Sequence, residues 1–186
     1  MKKCLQQRIS EAIFENWQLV KELYKDFEAH HKPATIKPSR PAAINAELEA
    51  KIKKSIADID YDVFRAFLLF NLSVDKTNFY IKNKTALSFR LDTGFLRGSD
   101  YPQLPYAIIM FVGAEFRGFH VRFDDIARGG LRMIRSANKQ AYLRNAETLF
   151  DENYNLAWTQ EKKNKDIPES GSKGTILLSI VSVWYF

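Results

Sequence analysis

Two cations that stand next to glycines, Lys173 and Arg128, are the residues of this chain best suited to chemistry. Lys173 lies in residues 167–174, which read IPESGSKG, and Arg128 lies in residues 127–132, which read ARGGLR. An amine that is partly shielded from water loses its proton more readily, and the neutral amine can act as a base or nucleophile near pH 7. A planar guanidinium group can hold a carboxylate through two parallel hydrogen bonds.

Each of the two cations also has a simpler interpretation. Lys173 could be a solvated side chain on a glycine turn, and a short motif is weak evidence for a site. Arg128 could be a surface arginine on a hairpin. The presence of two glycine-flanked cations in one chain shifts the balance toward a functional site.

The segment around Lys173 is predicted to be a tight loop at the rim of a sheet. Gly171 and Gly174 can adopt positive φ angles and allow a ligand to approach the backbone closely. An apolar strand is predicted to follow, from Thr175 to Ser179. Lys173 is therefore expected at the edge of the sheet, partly shielded from water.

A long helix is predicted immediately before this loop, from about Asn138 to Lys163, with Ser136 as its N-cap. Basic residues cluster at 162–165, at the C-terminal end of the helix. Cations at that end interact favourably with the helix dipole, which explains the cluster without any ligand.

Strands are predicted in the middle of the chain. Apolar and polar residues alternate at 86–91 and 119–123, a period typical of half-buried strands. Residues 106–112 form a continuous apolar run, which suits a central strand, and residues 131–134 are predicted to be a further strand. His120 is interpreted as structural. The pair Asp124-Asp125 is interpreted as a turn, because adjacent residues on a strand point to opposite faces.

The first 75 residues are predicted to be helical and to carry no chemistry. One amphipathic helix is expected to end at the polar pair His30-His31, and two more helices are expected at about 44–59 and 61–74. The first helix is predicted to bury a single stripe formed by Ile9, Ile13, Trp17, Val20, Tyr24 and Phe27. The predicted fold class is α/β, with a helical N-terminal stretch followed by a mixed sheet with packed helices.

Composition narrows the classes of function. The formal net charge of +6 hints at an anionic partner, and 46% apolar residues are enough to build a core. Cys4 is the single cysteine, so a disulfide framework and a multi-thiolate zinc site within the chain are excluded. No G-x-G-x-x-G and no phosphate-loop motif occurs. One Arg-Gly-Gly triplet between strands gives little support for RNA binding. Neither nucleic acid nor a membrane is expected as a partner, and no metal is expected.

Several long runs resemble the large NAD-specific glutamate dehydrogenases. These runs are EFRGFHVRFDDIARGGLR at 115–132, LFDENYNLA at 149–157, KKNKDIPE at 162–169 and GSKG at 171–174. The resemblance covers roughly residues 77 to 179. It implies a helical segment at 1–75, an incomplete glutamate dehydrogenase-like substrate-binding domain at 76–179 and an off-pattern tail at 180–186.

The resemblance implies a role for three cations. Lys173 matches the catalytic lysine of the family, which assists the attacking water and the carbinolamine step. Arg128 stands where smaller glutamate dehydrogenases place a lysine that holds a substrate carboxylate. Lys163 matches a second carboxylate-binding lysine, with Lys162 as the alternative because the spacing to Pro168 differs. The family usually has glycine at the position of Ser170.

The resemblance also implies a reaction: oxidative deamination of L-glutamate to 2-oxoglutarate and ammonia with NAD as hydride acceptor, a part of amino-acid catabolism. It implies a homo-oligomer located in the cytoplasm or the mitochondrion. The family's catalytic aspartate and NAD-binding domain are not found in the 186 residues, so the chain is expected to be a fragment that is inactive alone. A catalytically inactive module that binds dicarboxylates or assembles with subunits is the alternative.

Overall fold

The computed structural model describes residues 2–33, 40–56, 58–163 and 169–180. Within these ranges the chain forms five α-helices and one seven-stranded mixed sheet, which confirms the predicted α/β class. The chain divides into two compact units between Val74 and Asp75. The first unit is helical, and the second contains most of the sheet and one long helix.

Four helices form the first unit. They are α1 (Lys2–Glu15), α2 (Trp17–His31), α3 (Ala46–Ser55) and α4 (Asp58–Ser73). Asn45 caps α3 by accepting a hydrogen bond from the backbone N–H of Leu48, at 3.1 Å. The buried core of this unit contains apolar side chains of all four helices: Ala12, Leu19, Leu23, Leu48, Ile52, Phe64 and Leu68.

The single helix predicted here is wrong, and its apolar stripe is wrong at Trp17 and Tyr24, although Phe27 is buried as predicted. Asn16 has non-helical angles (φ −111°, ψ 33°) and separates α1 from α2. Its side chain donates to the carbonyl oxygen of Ala12, at 3.0 Å. Because the helix restarts after Asn16, the buried face of α2 shifts to Leu19 and Leu23, and Trp17 is exposed.

The interpretation of the histidine pair as a polar helix end is wrong for His31. This residue belongs to α2 and is only 6% exposed. Its Nδ1 lies 3.0 Å from the carbonyl oxygen of Phe27 and its Nε2 lies 2.9 Å from that of Val74. Its ring also stacks on Phe27. A carbonyl oxygen accepts only from a ring nitrogen that carries a proton, so which of the two contacts is a hydrogen bond depends on the tautomer.

The strands follow in the order β1 (Val74–Thr77), β2 (Ala86–Leu91), β3 (Ala107–Gly113), β4 (Phe116–Arg122), β5 (Ala127–Arg128), β6 (Leu131–Ile134) and β7 (Ser170–Leu178). Neighbours in the sheet are β1-β2-β3-β4-β7-β5, and β6 also pairs with β7. The pairs of β2 with β3, β3 with β4 and β4 with β7 are antiparallel, whereas β5 and β6 run parallel to β7. The last strand in sequence is therefore central in the sheet.

One long helix, α5 (Lys139–Lys162), packs on one face of the sheet. Ile134, Leu149 and Leu177 form the buried cluster between them. The N-cap is Asn138, whose side chain accepts from the backbone N–H of Ala141, and not Ser136 as predicted. The hydroxyl oxygen of Ser136 instead accepts from the side chain of Asn145, at 3.0 Å.

Two tyrosines attach the connection between β2 and β3 to α5. The Tyr154 hydroxyl donates to the carbonyl oxygen of Gln103 at 2.7 Å and accepts from its N–H at 3.1 Å. The Tyr101 hydroxyl donates to the carboxylate of Asp151, and burial, more than this carboxylate, raises the pKa of Tyr101 to about 12. These contacts help to hold α5 in place on the sheet.

Candidate active site

Residues 170–174 of the segment predicted as a tight loop belong to a strand, and residues 167–168 of it lie outside the described ranges. β7 begins at Ser170, five residues before the predicted strand at Thr175, so Lys173 is a strand residue. The glycines of this segment also have a different purpose from the one predicted, since Gly98 is the only glycine of the described ranges with a positive φ. The reason for Gly171 lies in its contacts.

Gly171 permits the close contact of β7 with α5. A Cβ atom on Gly171 would lie 2.1 Å from the backbone nitrogen of Glu161 and 2.6 Å from the carbonyl oxygen of Ala157. Both of these atoms belong to the backbone of α5, so neither can move aside easily. Gly171 therefore faces α5, and any side chain there would push the helix away from the strand.

Arg128 and Lys173 lie on the same face of the sheet. Arg128 is paired with Gly171 in the parallel register of β5 and β7. Directly paired residues point to the same face, and so do residues two apart on one strand. Because Gly171 faces α5, both Arg128 and Lys173 are directed to the α5 face. Both side chains are half-buried.

The guanidinium group of Arg128 reaches the C-terminal end of α5. Its Nη2 donates to the carbonyl oxygen of Lys163, the C-cap residue, at 3.0 Å. The last carbonyl groups of a helix lack partners within the helix and attract a cation. The Nε atom of Arg128 is buried and has no hydrogen-bond partner in the part of the chain that the structure describes. Its guanidinium group also carries N–H groups on the Nη atoms besides the one bonded to Lys163, and these can donate to an anion.

The structure separates the two candidate lysines at the end of α5. The Nζ atom of Lys162 lies 4.2 Å from the centroid of the Trp158 ring, a cation–π contact one turn back on the helix. Trp158 in turn packs against Phe123, which fixes the ring. The side chain of Lys163 is exposed and its backbone holds Arg128. The backbone of Lys163 thus contacts Arg128, whereas the choice of Lys163 over Lys162 as a carboxylate ligand stays a prediction.

Sequence reasoning missed two polar residues of α5 that contact β7. The carboxylate of Glu161 accepts from the backbone N–H of Gly171 at 2.6 Å. The side-chain amide of Asn153 donates to the carbonyl oxygen of Lys173 at 2.8 Å. A signal existed for Asn153, because it occupies a position on the apolar stripe of α5. The sequence contains no such signal for Glu161, because polar residues are common at the end of a helix.

The other polar candidates lie elsewhere. His120 pairs with Gly174, whose side of β7 faces away from α5, so His120 does not share the face of Lys173. Burial lowers the pKa of His120, and the charge of Arg122 lowers it further. The carboxylates of Asp124 and Asp125 accept from backbone N–H groups of the turn. No cluster of acidic, histidine or cysteine side chains suited to a metal occurs in the described ranges.

The arrangement favours a ligand with carboxylate groups. Arg128 contacts the C-terminal end of α5 at Lys163, and Lys173 lies on the same face of the sheet, where its backbone contacts α5 at Asn153. Charged hydrogen bonds to a carboxylate are roughly twice as strong as neutral ones.

No helix of the described ranges is both long and apolar enough to cross a membrane.

Known proteins similar to this chain point in the same direction. The family model "Bacterial NAD-glutamate dehydrogenase, catalytic domain" matches residues 47–182, so the match starts earlier than the resemblance read from residue 77. Glutamate dehydrogenase 2 of Dictyostelium discoideum is 51% identical over 176 residues, which is 92% of this chain and 17% of that protein.

Two fungal proteins give the same picture. The NAD-specific glutamate dehydrogenase of Neurospora crassa is 46% identical over 91% of this chain and 17% of its own length. That of Saccharomyces cerevisiae is 41% identical over 94% of this chain and 17% of its own length. This chain thus spans about a sixth of the length of these relatives. The family predicted from the motifs is confirmed: the chain belongs to the NAD-specific glutamate dehydrogenases and matches their catalytic domain.

Proposed function

We propose that the α5 face of β5 and β7 is the dicarboxylate-binding part of an enzyme that converts L-glutamate to 2-oxoglutarate and ammonia. The observation that carries this proposal is the common face of Arg128 and Lys173, with Arg128 bonded to the end of α5 at Lys163. Glutamate carries two carboxylates, and the half-buried Arg128 and Lys173, together with the exposed Lys163, offset their charge.

The roles follow from chemistry and position. Arg128 holds one substrate carboxylate through the donors that its bond to Lys163 leaves free, and the ammonium group of Lys163 attracts a carboxylate at the same end of α5. Lys173, on the rigid centre of the sheet, assists proton transfer when water attacks the carbon atom that loses the amine. A lysine on a central strand can hold its amine at a fixed point, as such a step requires.

NAD accepts the hydride in this reaction. The 186 residues contain no G-x-G-x-x-G motif, so none of them is assigned to the cofactor and no step through it is derived. The homo-oligomeric state and the cytoplasmic or mitochondrial location implied by the resemblance are likewise proposals for the whole enzyme.

Binding of 2-oxoglutarate to the purified chain, measured by calorimetry, tests this function. Arg128→Ala should weaken binding about tenfold or more, because a charged hydrogen bond contributes about 1.5–3 kcal/mol. Arg135→Ala is the matched control, since Arg135 is exposed and lies beyond the end of β6. A monocarboxylate such as 2-oxobutyrate should bind more weakly than 2-oxoglutarate. Equal affinity of the wild type and Arg128→Ala would contradict the proposal.

A further inference from the structure

Asn153 is a polar side chain in an apolar position. It is 0% exposed at the contact of α5 with β7, and the buried residues nearest to it along α5 are Leu149, Tyr154 and Ala157. An amide group has two N–H donors and a carbonyl acceptor, and burying it costs free energy unless these are bonded. Packing alone therefore favours an apolar residue here.

The amide of Asn153 is bonded to the backbone of Lys173. Its Nδ2 donates to the Lys173 carbonyl oxygen at 2.8 Å. The reverse orientation of the amide would bring two acceptor oxygens together, so the donor must face β7. The Oδ1 atom has no hydrogen-bond partner among the residues that the structure describes. The amide is thus kept for one bond, and that bond is to Lys173.

This bond ties the backbone of Lys173 to α5. Pairing with β4 already holds Lys173 in an extended conformation, opposite Val121. Two residues earlier, Glu161 holds the N–H of Gly171 at 2.6 Å. The two bonds from α5 therefore fix the position of this part of β7, and with it the Cα of Lys173, relative to the helix.

The same helix also holds Arg128, through the carbonyl oxygen of Lys163 at 3.0 Å. α5 is therefore a common support for the two cations, and it sets their positions relative to each other. A displacement of about 1 Å in a reacting group can reduce a rate about a hundredfold. A polar bond from the helix to Lys173 is a direct way to prevent such a displacement.

We propose that Asn153 is a positioning residue for Lys173, because its amide fixes the point from which the lysine side chain leaves β7 relative to α5. The choice of 2-oxoglutarate as the ligand rests on the proposed function. The positioning of Lys173 by Asn153 does not depend on that choice. Thr175 provides a matched control. It lies two residues along on the same face, is 0% exposed, and its Oγ1 has no partner in the described ranges.

The experiment compares wild type, Asn153→Leu and Thr175→Val as the purified 186-residue chain. Each is treated with a limiting amount of an acetylating reagent at constant pH, with and without 2-oxoglutarate. Peptide mass spectrometry then quantifies acetylation of Lys173 and of Lys139, an exposed lysine at the start of α5. Asn153→Leu should accelerate acetylation of Lys173 relative to Lys139 and reduce its protection by 2-oxoglutarate about tenfold. Thr175→Val should change neither.

Three results would overturn the positioning role. The first is wild-type acetylation and protection of Lys173 in folded Asn153→Leu, and the second is an equal change in Thr175→Val. If Asn153→Leu does not fold, Asn153→Met replaces it, since the flexible methionine adapts to the space. Loss of the fold in both apolar variants, with Thr175→Val intact, is the third, because Asn153 would then be needed only for structure. An absence of protection in wild type would instead reject the proposed ligand, while the rate without ligand still decides the positioning.

Discussion

Buried polar side chains are treated differently in the helical unit and at the contact of α5 with β7. In the helical unit, Asn71 is 6% exposed, and its Nδ2 donates to the carbonyl oxygen of Leu23 and to the carboxylate of Asp26, both at 2.9 Å. His31 has a carbonyl oxygen near each ring nitrogen. At the contact with β7, atoms of Asn153 and Thr175 are buried without a partner in the described residues.

This difference between the two regions has a cost in stability. Leaving a buried polar atom unbonded costs about 1–3 kcal/mol, so an unpaired atom in a native structure needs a reason. The helical unit has no such cost at Asn71, where the amide joins α4 to α2. Near Lys173 the cost is accepted on the face that carries the candidate site. The amide of Asn71 thus serves packing, whereas the amide of Asn153 is the one that we propose positions Lys173.

The largest expected loss of stability comes from a substitution that disrupts the contact of α5 with β7. Gly171→Ala places a methyl group against the backbone of α5 and should lower the free energy of unfolding by about 3 kcal/mol. Urea unfolding followed by circular dichroism measures the loss. Gly130→Ala is the control, because a Cβ there meets nothing within 4 Å and should change stability by less than about 0.5 kcal/mol. Equal stability of the two variants would mean that α5 does not lie so close to β7.

The next prediction compares the same substitution, asparagine to leucine, in the two regions, and its expected effect on stability is intermediate. Asn71→Leu should cost about 2 kcal/mol, since it leaves a buried carbonyl and a carboxylate without their donor. Asn153→Leu should cost less, because it removes one bond but also an unpaired acceptor. Chemical denaturation of both variants gives the two values. The comparison fails if Asn153→Leu proves the more destabilising.

The smallest effect concerns His120, on the opposite side of the sheet from α5. Burial lowers its pKa in the folded state below the ordinary 6.5, so the unfolded chain binds a proton that the folded chain refuses. Above pH 6.5, His120 should therefore leave the free energy of unfolding unchanged. As the pH falls below 6.5, His120 should lower that free energy progressively. His120→Gln should flatten the decrease in stability between about pH 7 and 5.5. An unchanged slope in His120→Gln would argue against a depressed pKa.

The sequence was sufficient for the elements with a clear period. The alternation at 86–91 and the apolar run at 106–112 correspond to β2 and β3. Leu48 and Ile52, predicted for the second helix, are buried in α3. Periodicity failed at Asn16, because one non-helical residue resets the phase of the apolar stripe, and composition does not reveal such a break.

The candidate residues could be named from the sequence, but their geometry could not be predicted. The motifs pointed to Lys173, Arg128 and the lysine pair at the end of α5, and their roles stay predictions. The sequence also does not show that the Lys162 side chain lies over Trp158. The motifs misassigned Gly171, since a glycine needed for a close backbone contact looks the same in sequence as one needed for a turn.

The central place of β7 has a consequence for how this unit folds. β7 lies between β4 on one side and β5 and β6 on the other, although it follows all of them in sequence. Until residues 170–178 leave the ribosome, these three strands lack their shared partner, and β5 consists of only two residues. Closing the sheet thus depends on contacts between distant parts of the chain, which form slowly. The nascent unit exposes open strand edges during that time, and such edges promote aggregation.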